Sequence, residues 1–117
     1  MYNQNNIFAK IIKGEIPCNK IYENQYALSF YDINPQAPIH FLVIPKNAYS
    51  DIIDFSINAS ANECKMYYQA IEESVSLLKI TNGFRVISNC GINGGQEVPH
   101  FHSHILAGKI LGKMISN

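Results

Sequence analysis

The 117-residue sequence predicts an α+β domain, a five-stranded antiparallel sheet with two helices. Three observations carry that prediction. Short apolar runs of strand character recur between turn residues, a pattern that favours antiparallel pairing of neighbouring segments. Two other segments, 7–13 and 60–79, place their apolar residues at helical spacing instead. Neither an internal repeat nor a linker divides the chain, whose length suits one hydrophobic core rather than two.

Residues 1–5 read as a flexible tail and 6–117 as a single domain. Ile7, Phe8, Ile11 and Ile12 form the stripe of the first helix; Gly14 stops it, and Pro17 follows shortly after. A hairpin comes next, with Lys20 to Glu23 extended, a turn at Asn24-Gln25, and Ala27 to Ile33 returning. Pro35 and Pro38 then exclude a helix from the connection 34–38. His40 to Ile44 is a nearly continuous apolar run ended by Pro45, as expected of a strand deep in a sheet.

Asn47 to Asn58 carries no clear period. The longest helix is expected from Ser60 to Lys79, with Ser60 and Glu63 spaced as a capping box. Its apolar stripe is Cys64, Tyr67/Tyr68, Ile71, Val75 and Leu78, and Asn82-Gly83 marks its end. Phe84 to Asn89 reads as a strand, Gly91 to Gly95 as a glycine-rich loop, and Val98 to Leu106 as the last strand. From Gly108 to Asn117 no period is visible.

Composition narrows the function classes. Nine basic and nine acidic residues balance, with no basic run, so the electrostatic footprint of a nucleic-acid binder is missing. No apolar run approaches the roughly 20 residues of a membrane-spanning helix, and the polar N-terminus does not read as a signal peptide. Cys18, Cys64 and Cys90, odd in number and widely spaced, read as reduced thiols of a cytoplasmic protein. Apolar residues make up 47% of this small chain, a load that a partner chain would help to bury.

The chemistry concentrates in the last strand. His100, His102 and His104 alternate there, so an extended backbone would turn all three imidazoles to one face. They are three of the four histidines; the fourth, His40, sits on another core strand. Three readings compete. A wet strand face explains one histidine better than three in register. A metal ion is a second reading, but same-face residues lie about 6.6–6.8 Å apart, so a straight row does not converge on one ion. Two of the three, joined by His40 or a carboxylate, would be needed. The third reading, nucleophilic catalysis on phosphorus, suits a linear array better. The central imidazole attacks, while its neighbours bind oxygens or deliver a proton.

Neighbouring residues fit that third reading. Gly94-Gly95-Gln96 would let backbone N–H groups approach phosphate oxygens. Asp32 is placed to accept ribose hydroxyls or, more simply, to cap a turn, and Asn89 stands in a similar position. Ile7, Phe8, Ile11 and Ile33 are core candidates that would equally wall a base pocket.

These segments together resemble the histidine triad (HIT) superfamily, most closely its Hint branch of purine nucleoside phosphoramidases. The resemblance runs through residues 7–12, 14–17, 30–38, 40–46 and 94–98 to the histidine row, nearly the whole chain. It implies a homodimer whose two sheets join into one continuous ten-stranded sheet. The implied partner is a purine nucleotide substrate, an AMP or GMP derivative, with no cofactor, no metal, no nucleic acid and no membrane.

By the same resemblance His102 is the nucleophile, forming a nucleotidyl-histidine that water resolves. The His100 carbonyl would orient His102, His104 would contact the α-phosphate, and His40 would support the cluster from behind. Asp32 would hold the ribose; Asn89, Gly95 and Gln96 would line the phosphate site, with Glu97 near the leaving group. Ile7, Phe8, Ile11 and Ile33 would form the purine pocket. A dinucleoside polyphosphate hydrolase and a nucleotide-binding scaffold with little turnover are the alternative functions. The chain also departs from the family pattern. Ser103 occupies a spacer usually apolar, Asn6 and Ala9 replace the cysteines of an N-terminal zinc site, and the tail lacks tryptophan.

Overall fold

A computed structural model describes residues 1–115; the end of the tail, 116–117, lies outside the described residues. Five strands form one sheet: β1 (Lys20–Glu23), β2 (Ala27–Tyr31), β3 (Ile39–Pro45), β4 (Arg85–Ile87) and β5 (Ser103–Ala107). Their order is β1-β2-β3-β5-β4, and every neighbouring pair is antiparallel. The α+β class and the five-stranded antiparallel sheet are therefore as expected. Among the described residues the helices number four rather than two: α1 (Ile7–Ile12), α2 (Ile52–Asn58), α3 (Ala61–Leu77) and the single turn α4 (Gly91–Gly94).

Strand alternation sorts the side chains into two layers. Odd-numbered residues, including Phe41, Val43 and Ile105, join Tyr67, Ala70 and Ile71 of α3 in the larger core cluster. Even-numbered Leu28, Phe30, Leu42 and Ile44 pack with Phe8 of α1 in the smaller one. The site lies on this second, even-numbered face, which also carries His40 and His104. Register brings that pair together: Leu42 lies opposite His104, so His40, two residues earlier on β3, is its diagonal neighbour.

The capping box of α3 is present in both directions, with the Glu63 N–H donating to Ser60 Oγ and the Ser60 N–H to Glu63 Oε1. Tyr67 and Ile71 of the expected stripe are buried, whereas Tyr68 is exposed. The helix ends before Asn82-Gly83. Lys79 takes the left-handed conformation (φ 55°) and closes the end through bonds from the Lys79 N–H to Ser76 O and the Ile80 N–H to Val75 O.

Helix α2 corrects the irregular reading of 47–58. Asp51 caps it by accepting from the Asp54 N–H at 2.8 Å, and Phe55 is its buried anchor. The histidine strand is also shorter than expected. It begins at Ser103, so His100 and His102 precede the ladder. Proline on both sides explains this: Pro99 and Pro45 have no N–H to donate, and the Phe101 N–H turns away to Tyr49 O.

Candidate active site

The even-numbered face, α1 and the 89–98 loop enclose a cleft of about 580 Å³, within the size range of small-molecule sites. His102, His104 and Asp32 line it, together with Asn89, Gly95 and Glu97 from the loop. Ile7, Phe8, Ile11 and Ile33 line it as well. Ten of the thirteen sequence-derived site residues thus share one cleft. Ile16, Pro17, Asn19 and Gln36 also contribute to the wall, and sequence reasoning missed them.

Three expected residues stand elsewhere. His100 is fully buried behind the cleft, and His40 is buried behind Asp32 and His104. Gln96 turns its side-chain amide to the Ser50 and Val98 carbonyls, at 2.8 and 3.0 Å, and ties the loop to the segment before α2. The glycine loop differs from the expected phosphate cradle for a similar reason. Its residues 91–94 form a helical turn, closed by Gly95 in the left-handed conformation (φ 76°). The N–H groups of Gly95 and Gln96 bond inward to Ile92 O and Gly91 O, which occupies the donors assigned to phosphate.

Burial holds the histidines neutral. Desolvation lowers the pKa of His102 and of His40, and it pushes His100 down to about 4. His104 is also pushed down to about 4, by burial first and then by the rings of His102 and His40. In a neutral imidazole one nitrogen donates and the other accepts, so the hydrogen-bond partners assign each ring's proton.

His102 Nδ1 lies 2.7 Å from the His100 carbonyl, which only accepts; the hydrogen is on Nδ1 and the lone pair on Nε2. His40 Nδ1 receives the Gln36 N–H at 3.1 Å, so its own hydrogen is on Nε2. That Nε2 is 3.0 Å from His104 Nδ1, which must accept, leaving the His104 hydrogen on Nε2. A nucleophilic lone pair and a hydrogen-bond donor therefore sit on adjacent rings, with centroids 5.1 Å apart.

Asp32 serves its turn as well as the cleft. One carboxylate oxygen accepts the Asn34 N–H at 2.8 Å, and the other lies 3.4 Å from His40 Nε2. Asp32, His40 and His104 are close enough to suggest a metal site. The donor set opposes one. Ligation through His40 Nε2 would need the hydrogen on Nδ1, where the Gln36 N–H already points.

The same architecture recurs among solved structures. A histidine triad protein from Clostridium difficile is similar with a TM-score of 0.85 and 43% identity, covering 98% of this chain and 100% of the other. A HIT family hydrolase from Clostridium thermocellum gives 0.88 and 36%, covering 97% and 99%. A family model of the HIT domain matches residues 13–110. The chain belongs to the HIT domain family. An uncharacterized HIT-like protein of Azospirillum brasilense is 50% identical over 98% of this chain and 95% of its own length. The matched residues include the histidine cluster and the 89–98 loop, α1 lies just ahead of them, and the fold is shared with the HIT family hydrolase.

Proposed function

We propose that this HIT domain is a purine nucleoside phosphoramidase of the Hint type. The observation that carries the reading is the 2.7 Å bond from His102 Nδ1–H to the His100 carbonyl, which leaves Nε2 as a lone-pair nucleophile beside the cleft. Nε2 attacks the α-phosphorus of a nucleoside 5′-phosphoramidate, the P–N bond breaks, and the amine leaves with a proton drawn from water. The nucleotidyl-imidazole retains its Nδ1–H and is cationic, so the His100 carbonyl stabilises it and makes it a good leaving group. Water then attacks phosphorus, its proton neutralises the hydroxide left by the first step, and the nucleoside monophosphate is released. His104 Nε2–H supports charge on a phosphate oxygen throughout. Asp32 suits a ribose diol, and Ile7, Phe8, Ile11 and Ile33 suit a purine.

The assembly we propose is a homodimer paired through β4. This edge strand is three residues long, and Val86 on it and Phe84 beside it are 47% and 44% exposed. A second copy pairing there would extend the sheet to ten strands and cover both side chains. The free thiols of Cys18, Cys64 and Cys90 fit a cytoplasmic setting. No described helix is long and apolar enough to cross a membrane.

The test is turnover of a fluorogenic adenosine tryptamine phosphoramidate by wild-type and His102→Ala protein, both with EDTA. Cleavage by wild type alone is expected. Cleavage only of diadenosine polyphosphates would move the activity to that class. Tight AMP binding by the folded dimer without turnover would leave a binding protein.

A further inference from the structure

Tyr2 lies in the segment ahead of α1, outside the cleft, yet its hydroxyl reaches the histidine cluster. It sits 2.5 Å from His100 Nδ1, across 98 positions of sequence. The direction of this bond is fixed at both ends. His100 Nε2 lies 2.8 Å from the Pro45 carbonyl and must donate to it, so Nδ1 accepts. The Asn6 amide donates to Tyr2 Oη at 2.8 Å, so the phenolic hydrogen is free to point at His100.

A one-way chain results. The Ala9 N–H donates to Asn6 Oδ1, Asn6 to Tyr2, Tyr2 to His100, and His100 to the β3 backbone. It joins the N-cap of α1 to the centre of the sheet through the one residue whose carbonyl holds His102. The Tyr2 ring also meets the His100 ring edge-on, with centroids 5.6 Å apart. His100 has no exposed surface, so no solvent stands ready to replace the tyrosine hydroxyl.

We infer that Tyr2 is a positioning residue: its hydroxyl fixes the tilt of His100, whose tautomer the Pro45 carbonyl sets, and, through the His100 carbonyl, the aim of His102. The inference rests on His102 as the nucleophile. Without the hydroxyl, a buried acceptor loses its partner, and only movement of the His100 ring or entry of water relieves it. Either change disturbs the carbonyl that holds His102 Nδ1–H. Because Tyr2 does not touch the cleft, substrate affinity should change little while the chemical step slows.

The decisive variant is Tyr2→Phe, which keeps the ring contact and removes only the hydroxyl; Tyr68→Phe, exposed on α3, is the control. Imidazole ¹⁵N spectra of the full chain should show displaced His100 nitrogens and faster exchange of the His102 Nδ1 proton in Tyr2→Phe alone. Turnover should fall about 10- to 100-fold in kcat, the scale at which loss of a ligand-orienting partner acts, with KM within about two-fold. Unchanged His100 and His102 resonances would overturn the inference, as would an unchanged kcat in an active enzyme. If the wild-type protein shows no turnover, the proposed function fails, and the spectra alone still decide the role of Tyr2.

Discussion

His40 Nε2 and His104 Nδ1 lie 3.0 Å apart, and the hydrogen between them belongs to His40. The Gln36 N–H settles this by occupying the other nitrogen of His40. The consequence reaches the cleft, because His104 is left with its own hydrogen on Nε2. Backbone groups at Gln36, Pro45 and His100 thus set the protonation pattern of the cluster, with Tyr2 completing it.

Breaking the pair should cost activity more than fold. In His40→Phe, His104 loses the donor that fixes its tautomer, and turnover is expected to fall about 10- to 100-fold. Stability should fall by about 1 kcal/mol, the net worth of a hydrogen bond whose partner His104 is only half-buried. Urea denaturation alongside steady-state kinetics measures both quantities.

The neutral histidines make the protein sensitive to acid. An imidazole with a lowered folded pKa binds protons more readily when unfolded, so stability is lost as pH falls below about 6.5. For His100, held at about 4, the loss is complete only below that pH and amounts to about 3 kcal/mol. Thermal midpoints between pH 7 and 4 should fall steadily, and His100→Gln should flatten that slope. Since the His102 pKa is also lowered, activity should persist somewhat below the pH at which an ordinary histidine protonates.

Ser103 belongs to a buried hydroxyl cluster behind His102. Its Oγ lies 2.8 Å from Tyr67 Oη and 2.7 Å from Ser88 Oγ, while the Ser88 hydroxyl donates to the His102 carbonyl at 3.0 Å. Ser103→Ala should lower stability by about 1 kcal/mol, because the fully buried Tyr67 loses one partner but keeps the Val43 carbonyl. The Ser88 bond to His102 survives, so turnover should stay within about two-fold of wild type. Denaturation and kinetics on one preparation check both expectations.

Much of this site was legible because it is written in local periodicities. Alternation along the last strand brought His102 and His104 to one cleft, and the Ser60/Glu63 spacing marked the start of α3. Helix α2 carried a readable signal too, since Asp51 precedes its first turn as an N-cap, but its apolar residues Ile52, Ile53, Phe55 and Ile57 are spread around the helix and form no clear stripe. What stayed hidden depends on contacts between distant segments or on backbone donors already in use. Gln96 looked like a phosphate ligand until Ser50 O and Val98 O claimed its amide. Nothing near Tyr2 in the sequence announces His100. His100 and His102 were assigned to a regular strand, yet prolines at 99 and 45 end the ladder before reaching them.

The central claim is that His102 Nε2 forms a covalent bond to the substrate's phosphorus. Intact-mass measurement after rapid mixing with a purine nucleoside phosphoramidate, quenched in alkaline denaturant to preserve the phosphorus–nitrogen bond, tests it most directly. The account predicts a transient gain of one nucleotidyl group that maps to His102 and is absent in His102→Ala. Turnover at full rate with no adduct on any histidine, or with an adduct on His104 instead, would contradict it.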